Sequence, residues 1–190
     1  MNYETELFTS GQYGTISGYF VLFDHSRANL YKEVFRKGAF AESIARRKAT
    51  GHPFPLLLNH DYNSIVGMVT DIGEDEHGGY FTADFFPTEK AQETKQMVKA
   101  GVLWQFSFGY TVLDYGRIRT QSRDREKVSE IREAELYEIS LATVPGDDRA
   151  TMISFDEGTG RTLAANNLLR HYRNTRGKAD EREREPARPD

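Results

Sequence analysis

Three residue types that acyl-transfer chemistry needs stand in this chain on segments that read as strands: Ser107, His60 and Glu138. Ser107 lies in Leu103-Trp104-Gln105-Phe106-Ser107-Phe108-Gly109-Tyr110, which alternates as a strand does. Trp104, Phe106, Phe108, Tyr110 and Val112 point one way, and Gln105, Ser107, Gly109 and Thr111 the other. The aromatic face calls for burial. That leaves a small hydroxyl on the opposite face of an anchored strand, with Gly109 nearby to let a substrate approach. The same pattern also fits an outward serine in a half-buried sheet. His60 closes the apolar run Leu56-Leu57-Leu58 within Asn59-His60-Asp61, where neighbours hold a ring firmly and can aim it. It also fits a plain turn residue, since no second ligand stands at metal-binding spacing. Glu138 falls inside Ala134-Glu135-Leu136-Tyr137-Glu138-Ile139-Ser140-Leu141-Ala142-Thr143-Val144. An unpaired carboxylate there is costly, so it either faces solvent or has a partner.

His60 and Ser107 are 47 positions apart, and Ser107 and Glu138 are 31 apart, so only a sheet could assemble them. Once assembled they would work as a serine hydrolase. The Ser107 oxygen attacks a carbonyl, one His60 nitrogen takes its proton, and Glu138 holds the other ring N–H. Backbone N–H groups would then have to receive the oxyanion.

The elements that must position these groups are legible in outline. Residues 15–23 read as a buried first strand, followed by a polar excursion from Asp24 to Lys32. Gly38 marks a turn into a short helix carrying Phe40, Ile44 and Ala45 on one face and stopped by Gly51. Leu56-Leu57-Leu58 and Ile65-Val66-Gly67-Met68-Val69 are two short strands, with a turn through Asn63-Ser64 between them. Residues 78–86 return as a hairpin strand with Phe81, Ala83 and Phe85 inward. Pro87-Thr88 opens a second helix to about Ala100, with Thr88 as N-cap, Ala91, Lys95, Met97 and Val98 on its packed face, and Gly101 beyond its end. It delivers the chain into the Ser107 strand. Residues 114–130 read as a solvated hairpin tip whose arginines are diluted by acids, and Pro145-Gly146-Asp147-Asp148 closes the Glu138 strand. The pattern is mostly β (α+β), most simply a closed or nearly closed barrel with helices packed outside. We take residues 1–157 as that domain, 158–175 as containing a helix with Leu163, Leu168, Leu169 and Tyr172, and 176–190 as a disordered, charge-balanced tail.

Composition narrows the chemistry. The 190 residues are 38% hydrophobic and 12% aromatic, which suits a strand-rich globular chain. A net charge of −4 supplies no basic field for nucleic acid. There is no cysteine, which removes disulfides, thiolate metal sites and a thiol nucleophile. No secretion signal and no apolar run of about 18 residues stands out, so a soluble, intracellular chain is expected. His25, His52, His77 and His171 lie in turns or polar segments with structural or solvent roles as the default. No P-loop, dinucleotide turn or zinc signature is present, so neither cofactor nor metal is expected.

Four pieces in fixed order resemble the prohead maturation proteases of tailed phages: Phe35-Arg36-Lys37-Gly38-Ala39-Phe40; Leu56-Leu57-Leu58-Asn59-His60-Asp61 leading to Gly67; Ser107-Phe108-Gly109-Tyr110; and Tyr137-Glu138-Ile139-Ser140-Leu141 leading to Pro145. The resemblance spans about residues 12–155. That family is similar in turn to the herpesvirus assemblins, serine peptidases with a β-barrel ringed by helices. It implies an assemblin-like fold, with the family's histidine at His60, its serine at Ser107 and its third member at Glu138, where assemblins have a second histidine. Two positions depart from the pattern. Phe106 precedes the serine where a small residue is expected, which would narrow the cleft. Gly146 follows Pro145 where alanine is usual. Gly146 and Asp147 are the candidate oxyanion donors.

The implied task is cleavage of the scaffolding segment of the major capsid protein, and then of the protease itself, inside the procapsid in the host cytoplasm. Implied partners are the capsid and portal assembly and, as an open outcome, a second copy of the chain, with no membrane and no direct nucleic acid. The segment past residue 161 would serve as a tether or a self-cleavage target. A non-catalytic scaffolding protein of the same fold, and a metal hydrolase using His60, are the other classes to be separated.

Overall fold

In a computed structural model the chain is mostly β with two helices, and residues 10–23, 27–116, 119–121 and 126–158 are described. The expected helix over 161–173, the charged end, His25 and His171 lie outside them. The first strand, β1 (Thr15–Leu22), is followed by a three-residue strand, β2 (Glu33–Phe35), which begins just past the polar excursion and which the sequence did not announce. Helix α1 (Ala41–Ala49) starts without a side-chain cap of its own. The Glu74 carboxylate supplies it from outside, accepting from Gly38 N (2.8 Å) and Phe40 N (2.9 Å). Gly51, with φ of 72°, ends the helix as expected.

The next hairpin corrects the sequence reading. β3 (Pro55–Leu58) turns directly at Asn59-His60 into β4 (Asp61–Glu74), so Asn63 and Ser64 are strand residues and not the turn. Leu58 pairs with Asp61, and the two residues between them have φ of 53° and 60°. A two-residue connection with both centres left-handed is the geometry whose twist matches that of paired strands. β5 (Gly78–Phe85) completes the meander, and α2 (Glu89–Lys99) is capped by Thr88, whose Oγ1 accepts from Ala91 N. Its buried face is Ala91, Thr94 and Val98; Met97 is exposed, and Lys95 reaches out to the Tyr13 carbonyl (2.9 Å).

The second half is organised by one long strand. β6 (Gln105–Tyr115) and the short β7 (Arg119–Gln121) both run antiparallel to β8 (Glu126–Ala142), before β9 (Met152–Asp156). β8 begins well before the expected residue 134 because its charged first half is not a free hairpin tip. Glu130 is 1% exposed there, and Arg36 meets its carboxylate at 2.8 Å from the other end of the sequence. The sheet order is β2-β8-β3-β4-β5-β1-β9, with β6 and β7 also on β8.

The sheet folds over an aromatic core. Phe20, Phe35, Phe40 and Phe108 have neighbouring centroids 5.4–5.5 Å apart. Phe106 stands edge-on to Phe81 at 4.7 Å and fills the space that a Cβ on Gly18 would need. Each ring wholly buried this way is worth about 1.5–3 kcal/mol over leaving it exposed. The aromatic face of β6 is therefore inward, apart from Trp104, which precedes the strand and is 46% exposed. Among the described residues no strand ladder closes the sheet into a barrel; the start of β6 meets the approach to β9 at an isolated bridge, Gln105 to Thr151. Among the described residues no helix is long and apolar enough to cross a membrane.

Candidate active site

β8 is flanked on one side by parallel β3, Leu57 opposite Ser140, and on the other by antiparallel β6, Ser107 opposite Ser140. Ser140 thus stands between the strand that leads to His60 and the strand that carries Ser107. Glu138 lies two residues back on the same face, opposite Gly109.

The Asn59-His60 turn is pinned to β8 at several points. Asn59 N donates to the Leu141 carbonyl (2.8 Å), and Asn59 Oδ1 accepts from Thr143 N (2.9 Å). His60 N donates to Ser140 Oγ (3.0 Å), and that hydroxyl donates to Glu138 Oε2 (2.8 Å). The other carboxylate oxygen, Glu138 Oε1, meets His60 Nδ1 at 2.6 Å. Glu138 is 1% exposed while the imidazole is 43% exposed, so a buried acid holds a ring whose far edge reaches solvent. A carboxylate at Nδ1 places the N–H there and leaves Nε2 as the acceptor of the neutral ring. The Glu138 hydrogen bond is the main cause that raises the His60 pKa above 6.5; desolvation opposes it and the Glu138 charge adds to it.

Sequence reasoning did not assign a role to Ser140, the hinge of this network, or to Asn59. The signal was present in part: Glu138 and Ser140 are two apart on a strand and so share a face, and Asn is a residue that tolerates a left-handed turn centre. Histidine at the second centre is the anomaly. A non-glycine residue held left-handed costs about 1–2 kcal/mol, and such outliers cluster where function requires them.

Gly109 has a job that the sequence did not announce. A Cβ there would lie 2.7 Å from Glu138 Oε1, so the glycine makes room for the acid. Gly109→Ala is therefore expected to displace the carboxylate from Nδ1. The raised His60 pKa should then fall in the folded variant, with the melting temperature moved only a few degrees. An NMR titration of the His60 ring together with a thermal melt checks this, and an unchanged His60 pKa in the folded variant would refute it.

Ser107 is half-buried, and among the described residues its hydroxyl forms no hydrogen bond. The structure thus joins Glu138 to His60 directly, and brings Ser107 beside them through strand register. Ser107 also borders a cavity of about 20 Å³, room for one water, together with Phe108, Tyr110, Tyr31, Gly146 and Asp147. Phe106 touches this cavity, but its ring lies in the core, so it does not project across the face that bears Ser107. Gly146 is not left-handed; a Cβ there would meet the Tyr31 ring at 2.8 Å, which is what the glycine avoids. An open groove of about 640 Å³ between α1 and β4 contains none of these residues. Among the described residues, no three of His, Cys, Asp and Glu gather as a ligand set for a metal ion.

No individually curated protein matches the sequence. The capsid assembly protease gp21 of bacteriophage T4 has a similar fold, with a TM-score of 0.51 at 11% identity over 67% of this chain and 80% of that one. The Kaposi's sarcoma-associated herpesvirus protease superposes more loosely, with a TM-score of 0.46 at 11% identity over 84% of this chain and 75% of that one. The family description that fits the sequence itself does so from residue 2 to residue 161, a span containing every strand and helix above, and on that match the chain belongs to the caudovirus prohead serine protease family.

Proposed function

We propose that this serine protease of capsid maturation uses Ser107 as nucleophile, His60 as general base and Glu138 as the acid that orients the ring. The observation that carries this reading is the 2.6 Å contact between a buried carboxylate and His60 Nδ1, one strand away from a serine whose hydroxyl forms no hydrogen bond among the described residues. In the first step the Ser107 Oγ–H proton moves to His60 Nε2 while Oγ bonds to the scissile carbonyl carbon. The imidazolium, stabilised by Glu138, returns that proton to the departing amine as the C–N bond breaks, and a water then repeats the sequence to free the acid. Ser140 keeps the carboxylate and the turn backbone in register. Gly146 N–H and Asp147 N–H are the oxyanion donors, supported by their place on the cavity that Ser107 borders. The same reading takes the curled sheet as a nearly closed, assemblin-like barrel, supported by the Gln105–Thr151 bridge. The substrate is the scaffolding segment of the major capsid protein, and then the protease itself, within the procapsid assembling in the host cytoplasm.

A peptidyl phosphonate, which reports nucleophile and base together, tests the assignment. The adduct should map to Ser107 by mass spectrometry and form at the same rate with or without a chelator. A base works only when neutral, and the His60 pKa is raised. The labelling rate should therefore increase with pH through a midpoint above 6.5, and Glu138→Gln should bring that midpoint down. An adduct on another residue, or a rate flat from about pH 5 to 8, would overturn the assignment.

A further inference from the structure

Residues 27–32, which lead into β2, fold over the turn that follows β8. Asn29 shapes this segment: Oδ1 accepts from Tyr31 N (2.9 Å) and Glu33 N (3.0 Å), and its carbonyl accepts from Lys32 N (3.1 Å). The Tyr110 hydroxyl donates to Glu33 Oε2, which anchors the base of the segment to the strand of Ser107. Two hydrogen bonds then stitch it to the turn. Leu30 N donates to the Gly146 carbonyl (2.9 Å), and Arg149 Nη2 donates to the Arg27 carbonyl (2.9 Å). Arg149 also grips the Asp147 carboxylate through Nε (2.8 Å) and Nη2 (2.7 Å). These side chains are only 21% and 11% exposed, so this forked pair is worth more than the Arg27–Asp148 bridge, where both partners are 60% exposed. The Tyr31 ring packs where Gly146 lacks a Cβ.

A trans peptide holds its N–H antiparallel to its C=O. The bond from Leu30 to the Gly146 carbonyl therefore also fixes the direction of Asp147 N–H, which among the described residues donates to no partner. We propose that residues 27–32 form a strap over this turn and that Arg149 fastens it, setting the direction of the oxyanion donor at Asp147. Arg149 acts through the turn and touches no reacting atom, so it is a positioning residue. The proposal rests on the reading of Ser107 as nucleophile.

The test uses the full chain and a simple fluorophosphonate, with labelling of Ser107 resolved into a maximal rate and a half-saturation concentration. Removing one oxyanion donor costs about 10²–10³ in rate, and a misdirected donor keeps part of that, so Arg149→Ala should slow the maximal step about 10–100-fold. Half-saturation should stay within about twofold, since the donor acts on the transition state. Arg149→Lys, which keeps one bond to the carboxylate, should fall between, and it carries the test if the alanine variant does not fold. Millimolar guanidinium should restore part of the rate in Arg149→Ala and none in wild type. Lys99→Ala, which breaks an exposed pair on α2, is the control and should be silent. An unchanged maximal rate in folded Arg149 variants, or a loss confined to half-saturation, overturns the strap. Absence of labelling in the wild-type chain would instead strike at the nucleophile assignment.

Discussion

His60→Gly is expected to abolish peptide hydrolysis, with a loss of about 10⁴-fold or more, while leaving the fold in place. The two consequences have separate physical origins. Activity goes because among the described residues no other imidazole stands beside Glu138 and Ser140, so the Ser107 proton has no acceptor in the network. Stability is a balance of opposing effects. Asn-Gly is the preferred pair for a two-residue turn with both centres left-handed, so glycine relieves a strain of about 1–2 kcal/mol at the position with φ of 60°. Against that, Glu138 loses its closest partner and keeps only the Ser140 hydroxyl. The pH dependence separates the two. Because the folded-state pKa of His60 is raised, the contribution of its ion pair is fully present below about 6.5 and is lost as pH rises through the raised value. Wild type should therefore lead the variant most at about pH 5.5, and the gap should narrow by about pH 8.5. Urea melts at the two pH values decide it, and a gap that widens towards alkaline pH would contradict the pairing. Activity follows the opposite course over the same interval, so the protease is most active where this pair stabilises it least.

Local rules carried much of the fold. β1 follows from its continuous buried run, β5 and β6 from alternation, and both helices from the glycines beyond their ends, with Thr88 capping the second. What escaped depends on partners far along the chain. β2 is three residues long, and its ladder with β8 joins Glu33 to Ser129, so no local period could announce it. The first half of β8 looks like a solvated tip because Glu130 and its neighbours are charged; Arg36, 94 positions away, is what allows that carboxylate inside. The turn lies four residues earlier than the sequence suggests because Asn59-His60 lacks the glycine that usually marks the second centre of such a connection.

The site shows the same division. Residue types and alternation identified a serine on a polar strand face and an acid in a strand interior, but each also suited an ordinary sheet. Spacing could not choose, since the contact between His60 and Glu138 crosses 78 positions and is made by a parallel pairing that no hairpin pattern predicts. Only the ordered resemblance put the three residues in one frame. Even that frame left out Ser140 as the hydroxyl between them, the room that Gly109 leaves for the acid, and the contact of Tyr31 with Gly146.

Ser107→Ala separates chemistry from architecture more cleanly than any other change. The Ser107 hydroxyl forms no hydrogen bond among the described residues, and the side chain is half-buried, so deleting one oxygen should shift stability by no more than about 0.5 kcal/mol. The rate should nevertheless fall by about 10⁴-fold or more, because the bond to the scissile carbon can no longer form. Co-expression with a cognate major capsid protein turns this into a mass measurement. Wild type should give capsid protein shortened by its scaffolding segment, and the variant should give the full-length form inside assembled shells. Shells that assemble normally but stay unprocessed identify a protease whose body still takes its place in the procapsid. Normal processing in the presence of the Ser107→Ala chain would mean instead that the cut is made without Ser107, and the carboxylate held under His60 would need another explanation.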